Sequence, residues 1–79
     1  MNIIYSKEAV KNISRMDATT KQRIKQGILA IPKGNIKPLQ GYSDGRQRLR
    51  VGKYRVVFNY MSETDILIME IGTRGDIYK

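Results

Sequence analysis

Arg46-Gln47-Arg48-Leu49-Arg50-Val51-Gly52-Lys53-Tyr54-Arg55-Val56-Val57-Phe58-Asn59-Tyr60 is the stretch on which the fold turns. Its first six residues alternate arginine with something else, and alternate side chains of a strand point to opposite faces. Arg46, Arg48 and Arg50 therefore share one face, and Gln47, Leu49 and Val51 share the other, the inward one. Gly52-Lys53 reads as a tight turn, after which Tyr54 to Tyr60 returns as an antiparallel neighbour. Val56-Val57-Phe58 is apolar enough for the middle of a sheet. Tyr54, Phe58 and Tyr60 alternate on one strand face, where core packing and strand pairing explain them before base stacking does. Arg55 comes back across the turn beside the other arginines, so five cations fall within ten residues with no acidic residue among them.

Working outward, Met61-Ser62-Glu63-Thr64 leads into a third strand-like run, Asp65 to Ile71, whose Ile66-Leu67-Ile68-Met69 also suits a central strand. On the N-terminal side, residues 33 to 44 carry Gly34, Pro38, Gly41 and the Ser43-Asp44-Gly45 turn and read as a connecting loop. Two helices precede it. Ser6 is an N-cap for the first, in which Ala9, Val10, Ile13 and Met16 recur at helical spacing. Asp17 caps the second, in which Ile24, Ile28 and Ile31 form a stripe with Lys21, Arg23 and Lys25 facing outward, and Pro32 ends it. Asn2-Ile3-Ile4-Tyr5 is a short β-branched and aromatic strand. The predicted fold is α+β, of β-α-α-β-β-β order. A helical hairpin packs on one face of a small, mostly antiparallel four-stranded sheet, and the other face is left open.

The chain has 79 residues, too few for two cores, so residues 1–79 are expected to form a single domain. With no cysteine there is no disulfide framework or thiolate metal site, and with no histidine the usual general base and commonest metal ligand are missing. Any catalysis would run on lysine, arginine, tyrosine, carboxylate or hydroxyl groups. No apolar run has signal-peptide or membrane-spanning length, which predicts a soluble, cytoplasmic protein with no membrane partner. Fifteen Lys and Arg against seven Asp and Glu leave a formal charge of +8, a field that attracts polyanions and makes nucleic acid the natural partner class. The plainer explanation of a basic strand is a solvated face with arginines snorkelling to water. Three alternating arginines and a cross-strand fourth exceed what solubility needs, and arginine's planar fork fits phosphate oxygens bidentately where lysine does not.

After the last strand the chain reads Ile71-Gly72-Thr73-Arg74-Gly75-Asp76-Ile77-Tyr78-Lys79. With the Arg48-Leu49-Arg50-Val51-Gly52-Lys53-Tyr54-Arg55-Val56-Val57-Phe58 hairpin and the element order, this ending resembles the RelE/ParE toxin superfamily over nearly the whole chain. The hairpin is shared by RNA-cutting and gyrase-directed branches. The Arg74-Gly75-Asp76-Ile77-Tyr78 ending is similar to the RNA-cutting, RelE-type branch.

That resemblance implies the toxin of a type II toxin–antitoxin module. It would be a metal-independent, cofactor-free endoribonuclease that cuts mRNA in the ribosomal A site by driving the ribose 2′-hydroxyl onto the adjacent phosphate, inhibiting translation. It implies catalytic roles for Arg48, Arg55, Arg74 and Tyr78, and RNA binding by Arg46, Arg50 and Lys53. The implied partners are a cognate antitoxin, often acidic and helical, together with mRNA and the ribosome with its 16S rRNA. The alternative within the superfamily is a non-enzymatic, ParE-like inhibitor of DNA gyrase, and outside it a simple RNA-binding module. Two departures stand out. Well-known members carry lysines where this chain has Arg46 and Arg48, and arginine does not lose its proton near neutral pH, so phosphate binding suits both better than general-base work. The sequence also ends one residue after Tyr78, where some relatives continue into a helix. Taken singly, Tyr78 reads as an aromatic anchor and Arg74 as an ion-pair partner of Asp76 or Glu70. Arg74-Gly75-Asp76 also spells an adhesion tripeptide, which a chain without cysteine or export signal does not favour.

Overall fold

A computed structural model of the chain describes residues 2–39 and 44–73. The order is β1 (Asn2–Tyr5), α1 (Lys7–Ser14), α2 (Ala18–Leu29), β2 (Asn35–Pro38), β3 (Gln47–Val51), β4 (Tyr54–Tyr60) and β5 (Asp65–Thr73). One sheet contains all the strands in the order β1-β5-β4-β3-β2. Only β1 and β5 run parallel; the other neighbours are antiparallel.

Five strands, not four, make the sheet. The extra one, β2, lies inside the segment expected to be a loop. It runs antiparallel to β3 at the sheet's edge, pairing Ile36 with Leu49 and Lys37 with Arg48. An edge strand loses no ladder bond to a proline on its free side, so Pro38 can close it, and Ile36 is its one inward apolar residue.

Both helices start where side-chain oxygens meet free amides: Ser6 accepts from Ala9 N, and Asp17 accepts from Thr20 N. Ala9, Ile24, Ile28, Leu49, Val56 and Phe58 are buried together between helices and sheet. Two expectations about the helices need correcting. Val10 lies 100° around the helix from Ala9 and is 51% exposed, so it belongs to the outer face of α1. Ile31 is buried as expected, but it follows the end of α2 at Leu29 and its cap Ala30. In α2, Gly27 marks the closest approach to the sheet, since a β-carbon there would stand 2.8 Å from Val51 Cγ2.

The upper half of β5 is positioned by two devices. A bulge opposite Val57 and Phe58 lets Glu70 pair with Val57 and Ile68 with Phe58, leaving Met69 as the extra residue. That extra residue is why Ile66, Ile68 and Ile71, which strict alternation would split between faces, are all buried under the helices. Beyond Ile68, where β1 stops, the edge of β5 is covered by α1. Ser6 Oγ donates to the Met69 carbonyl at 2.6 Å, and Ile71 N donates to Asn12 Oδ1 at 2.9 Å. Ser6 thus caps a helix and closes a sheet edge at once. Ser6→Ala is expected to cost about 1–2 kcal/mol, from the cap plus the lost strand contact. At roughly 4–8 °C per kcal/mol for a domain of this size, thermal unfolding by circular dichroism checks it. The exposed Ser14→Ala serves as the control, and equal melting of the two variants would refute the dual role.

Candidate nucleic-acid interface

The register lays out the helix-free face in rows that run across the strands. The row next to the β3–β4 turn is Asn35, Arg50, Arg55 and Gly72. The next row is Lys37, Arg48, Val57 and Glu70. Neighbouring strands lie about 4.8 Å apart, so four cations occupy adjacent positions within two rows. Arg50 and Arg55 face each other directly, a like-charge pair that destabilises a ladder.

The face is open of helices but not uniformly exposed. At its centre Val57 is 2% and Arg55 6% accessible. Arg55 is held by an interaction within the chain, as a buried guanidinium must be. Arg48 Nη1 is buried with no hydrogen-bond partner among the described residues. A buried donor left unmade costs about 1–3 kcal/mol, and an anionic acceptor on this face would remove that cost. Arg50 is exposed.

Arg46 behaves differently from its neighbours. Its Nε donates to Asp44 Oδ2 at 2.8 Å and its amide to Asp44 Oδ1, so the carboxylate just before the basic stretch neutralises its first member. The Arg46 side-chain hydrogen bond holds the Asp44 carboxyl below the usual carboxylate range. Lys53, exposed at the turn, stands 5.5 Å from the centre of the Tyr54 ring, within cation–π range. Arg74 and Tyr78 lie outside the described residues.

Two residues of this face escape a linear reading. Lys37 is brought beside Arg48 only because β2 is a strand. The signal for it was the alternation of Asn35 and Lys37 around apolar Ile36. Glu70 reaches the face because the bulge reverses the phase of β5.

Two helices on one side of a five-stranded sheet, with an arginine-lined opposite side, define a small basic α+β class. The family model of the ParE toxin of the type II toxin–antitoxin system, parDE, matches residues 3–78. The chain belongs to that family, within the RelE/ParE superfamily of toxins. Among solved structures, it is similar to a chain of the RelB–RelE antitoxin–toxin complex from Methanococcus jannaschii. The identity is 27%, the TM-score 0.76, and the match covers 95% of this chain and 94% of that one. The archaeal RelE–RelB complex from Pyrococcus horikoshii OT3 matches at 26% identity and TM-score 0.69, covering 94% of each chain. YafQ from E. coli, at 17% identity and TM-score 0.73 over 99% of this chain and 98% of that one, shares the fold. No curated protein matches the sequence.

If the arginine face is built for an anion at the expense of stability, removing one member of the facing pair should strengthen the fold. Arg50→Gln is expected to raise the urea midpoint at low ionic strength, by an amount equivalent to about 0.2–1 kcal/mol of unfolding free energy. The gain should fade at high salt as screening removes the repulsion. An unchanged or lowered midpoint at low salt would show that the pair carries no strain.

Proposed function

We propose that the chain is a ribosome-dependent endoribonuclease that cuts mRNA in the A site, acting in the cytoplasm as the toxin of a toxin–antitoxin pair. The observation that carries this reading is the arginine face, with a buried Arg48 Nη1 that has no hydrogen-bond partner among the described residues, beside Lys37 and one row from the Arg50–Arg55 pair. In the proposed reaction the 2′-oxygen of a ribose bonds to the adjacent phosphorus and the bond from phosphorus to the 5′-oxygen breaks. The 2′-hydroxyl proton leaves to a base, and the departing 5′-oxygen takes one up. Charge accumulates on the non-bridging oxygens of the five-coordinate phosphorane, and donors aimed at that charge usually supply the largest catalytic effect. Arg48 and Arg55 are the donors best suited to the task, one with an unfilled donor and the other fixed by burial. Arg50 and Lys53 hold the flanking backbone, and Arg46 joins them by exchanging Asp44 for a phosphate. Arg74 completes the phosphate clamp, and Tyr78 moves a proton or stacks on a base.

An antitoxin partner follows from the same face. The RelE structures similar to this chain are complexes with RelB. A protein of formal charge +8 attracts an acidic, amphipathic segment that covers its cations. A second reading has its own support, because the matching family model is that of ParE. In that reading the chain inhibits DNA gyrase without cutting RNA.

Primer extension on mRNA from programmed ribosomes separates the two. Wild type is expected to give A-site cuts. Arg48→Ala should cut about 10²–10³-fold more slowly, the usual effect of removing one preorganised donor, and Arg74→Ala combined with Tyr78→Phe should cut no faster than that. Intact message with wild type, together with stoichiometric inhibition of supercoiling, would replace this reading with the gyrase one.

A further inference from the structure

The tip of the β3–β4 hairpin has a second basic side, facing the helices. Here Thr20 and Arg23 of α2 meet Val51, Gly52, Lys53 and Tyr54 around a cleft of about 170 Å³. Gly52 takes a φ of 59°, the conformation that a two-residue turn needs at its first position. Arg23 reaches over it, since a β-carbon on Gly52 would stand 3.6 Å from Arg23 Nη2. Lys53 Nζ approaches from the turn, 5.5 Å from the Tyr54 ring centre. Tyr54 also lines a neighbouring groove of about 220 Å³ with Arg15, Asn12 and Thr73. Arg15, Arg23 and Lys53 thus converge on one end of the molecule, and among the described residues none of them forms an ion pair. The nearest acid in sequence, Asp17, is occupied, because its carboxylate accepts from Thr20 N and Thr20 Oγ1.

We infer that this cleft is a second phosphate site, which takes a backbone phosphate of the RNA bound on the arginine face. Its ligands are the Arg23 guanidinium and the Lys53 ammonium, with Arg15 holding the next phosphate along the adjoining groove. This rests on the reading of that face as an RNA surface. Two features favour RNA over an unrelated anion. The Arg50–Arg55 row lies at the same end of the sheet, on the other side of the same turn, so a strand leaving that row meets Lys53 at the tip and then Arg23. Arginine's fork accepts a phosphodiester bidentately while lysine supplies a point charge, and the two together suit one phosphate on a bend. The RNA therefore wraps around the hairpin tip and is gripped on both faces.

The test is the salt dependence of binding by the full chain to a single-stranded RNA with 2′-O-methyl riboses, which cannot be cut. Each phosphate contact on a single strand contributes about 0.7 to the slope of log affinity against log salt. Arg23→Gln with Lys53→Gln should flatten the slope by about 0.7, the one phosphate lost, and weaken binding about fourfold near physiological salt. Arg23→Lys with Lys53→Arg, which keeps both charges, should restore most of the slope, and matched unfolding midpoints show that the variants are folded. A double variant that binds like wild type, while Arg50→Gln weakens binding, overturns the second site and leaves the arginine face standing. Wild type that binds this RNA with no salt dependence overturns both readings. If poly-glutamate shifts the Gly52 and Tyr54 amide resonances and the RNA does not, the cleft takes an acidic polypeptide and the inference fails.

Discussion

Strand β3 must bury Leu49 and Val51 under α2, and that requirement fixes where its arginines go. Side chains alternate along a strand, so once Leu49 meets Ile36 and Val56 in register, Arg48 and Arg50 have only the opposite face. A slip of one residue would drive two guanidinium groups into the apolar core, which no nearby carboxylate could repair. The absence of a side chain at Gly27 lets α2 close down on Val51, and Gly52 lets the chain reverse within two residues. The like-charge crowding of the outer face is therefore held in place by apolar packing on the inner one. The energy that keeps Arg50 opposite Arg55 comes in large part from side chains on the other face of the sheet.

The same logic explains the irregular half of β5. Ile66, Ile68 and Ile71 cannot all face inward along a regular strand, and the bulge opposite Val57 and Phe58 resolves the conflict by spending Met69 as an unpaired residue. A bulged strand has ladder groups to satisfy where its parallel neighbour β1 has ended. Ser6 and Asn12 of α1 take over, so a polar side of the helix substitutes for a missing strand. This ties α1 to the far half of β5. The groove between Arg15, Tyr54 and Thr73 opens where that attachment ends.

Much of this was legible in the sequence because it rests on local chemistry. The caps Ser6 and Asp17, the tight turn at Gly52-Lys53, the limits of β1 and β4 and the facing of Arg48 and Arg50 follow from residue types a few positions apart. What was hidden depends on pairing. Strand β2 is four residues with a single inward apolar side chain, a pattern too short to distinguish from a loop until β3 lies beside it. Lys37 stays hidden for that reason, and Glu70 because a bulge leaves no mark in composition. The partnership of Arg46 with Asp44 crosses the boundary of the basic stretch, so the charge pattern within that stretch does not reveal it. The burial of Arg55 is a tertiary fact: the sheet face that alternation assigns to a residue does not say how deep the residue lies on it.

The residue types on the outer face divide the labour of the proposed reaction. A guanidinium keeps its proton at any pH near neutrality, so Arg48, Arg50 and Arg55 can bind a phosphate and draw off its developing charge but cannot take the 2′-hydroxyl proton. With no histidine in the chain, the groups able to accept one are few. Lys37 and Glu70 stand on the arginine face in the row of Arg48, and Tyr78 belongs to the segment after β5. A carboxylate is a weak base, whereas an amine or a phenol is a stronger base that ordinarily keeps its proton near neutral pH, so none alone matches the task well. An active centre rich in charge stabilisation and poor in proton acceptors works best where its substrate is already held in line for attack. For the proposed reaction, that is a physical reason to favour message fixed in the ribosome over RNA free in solution.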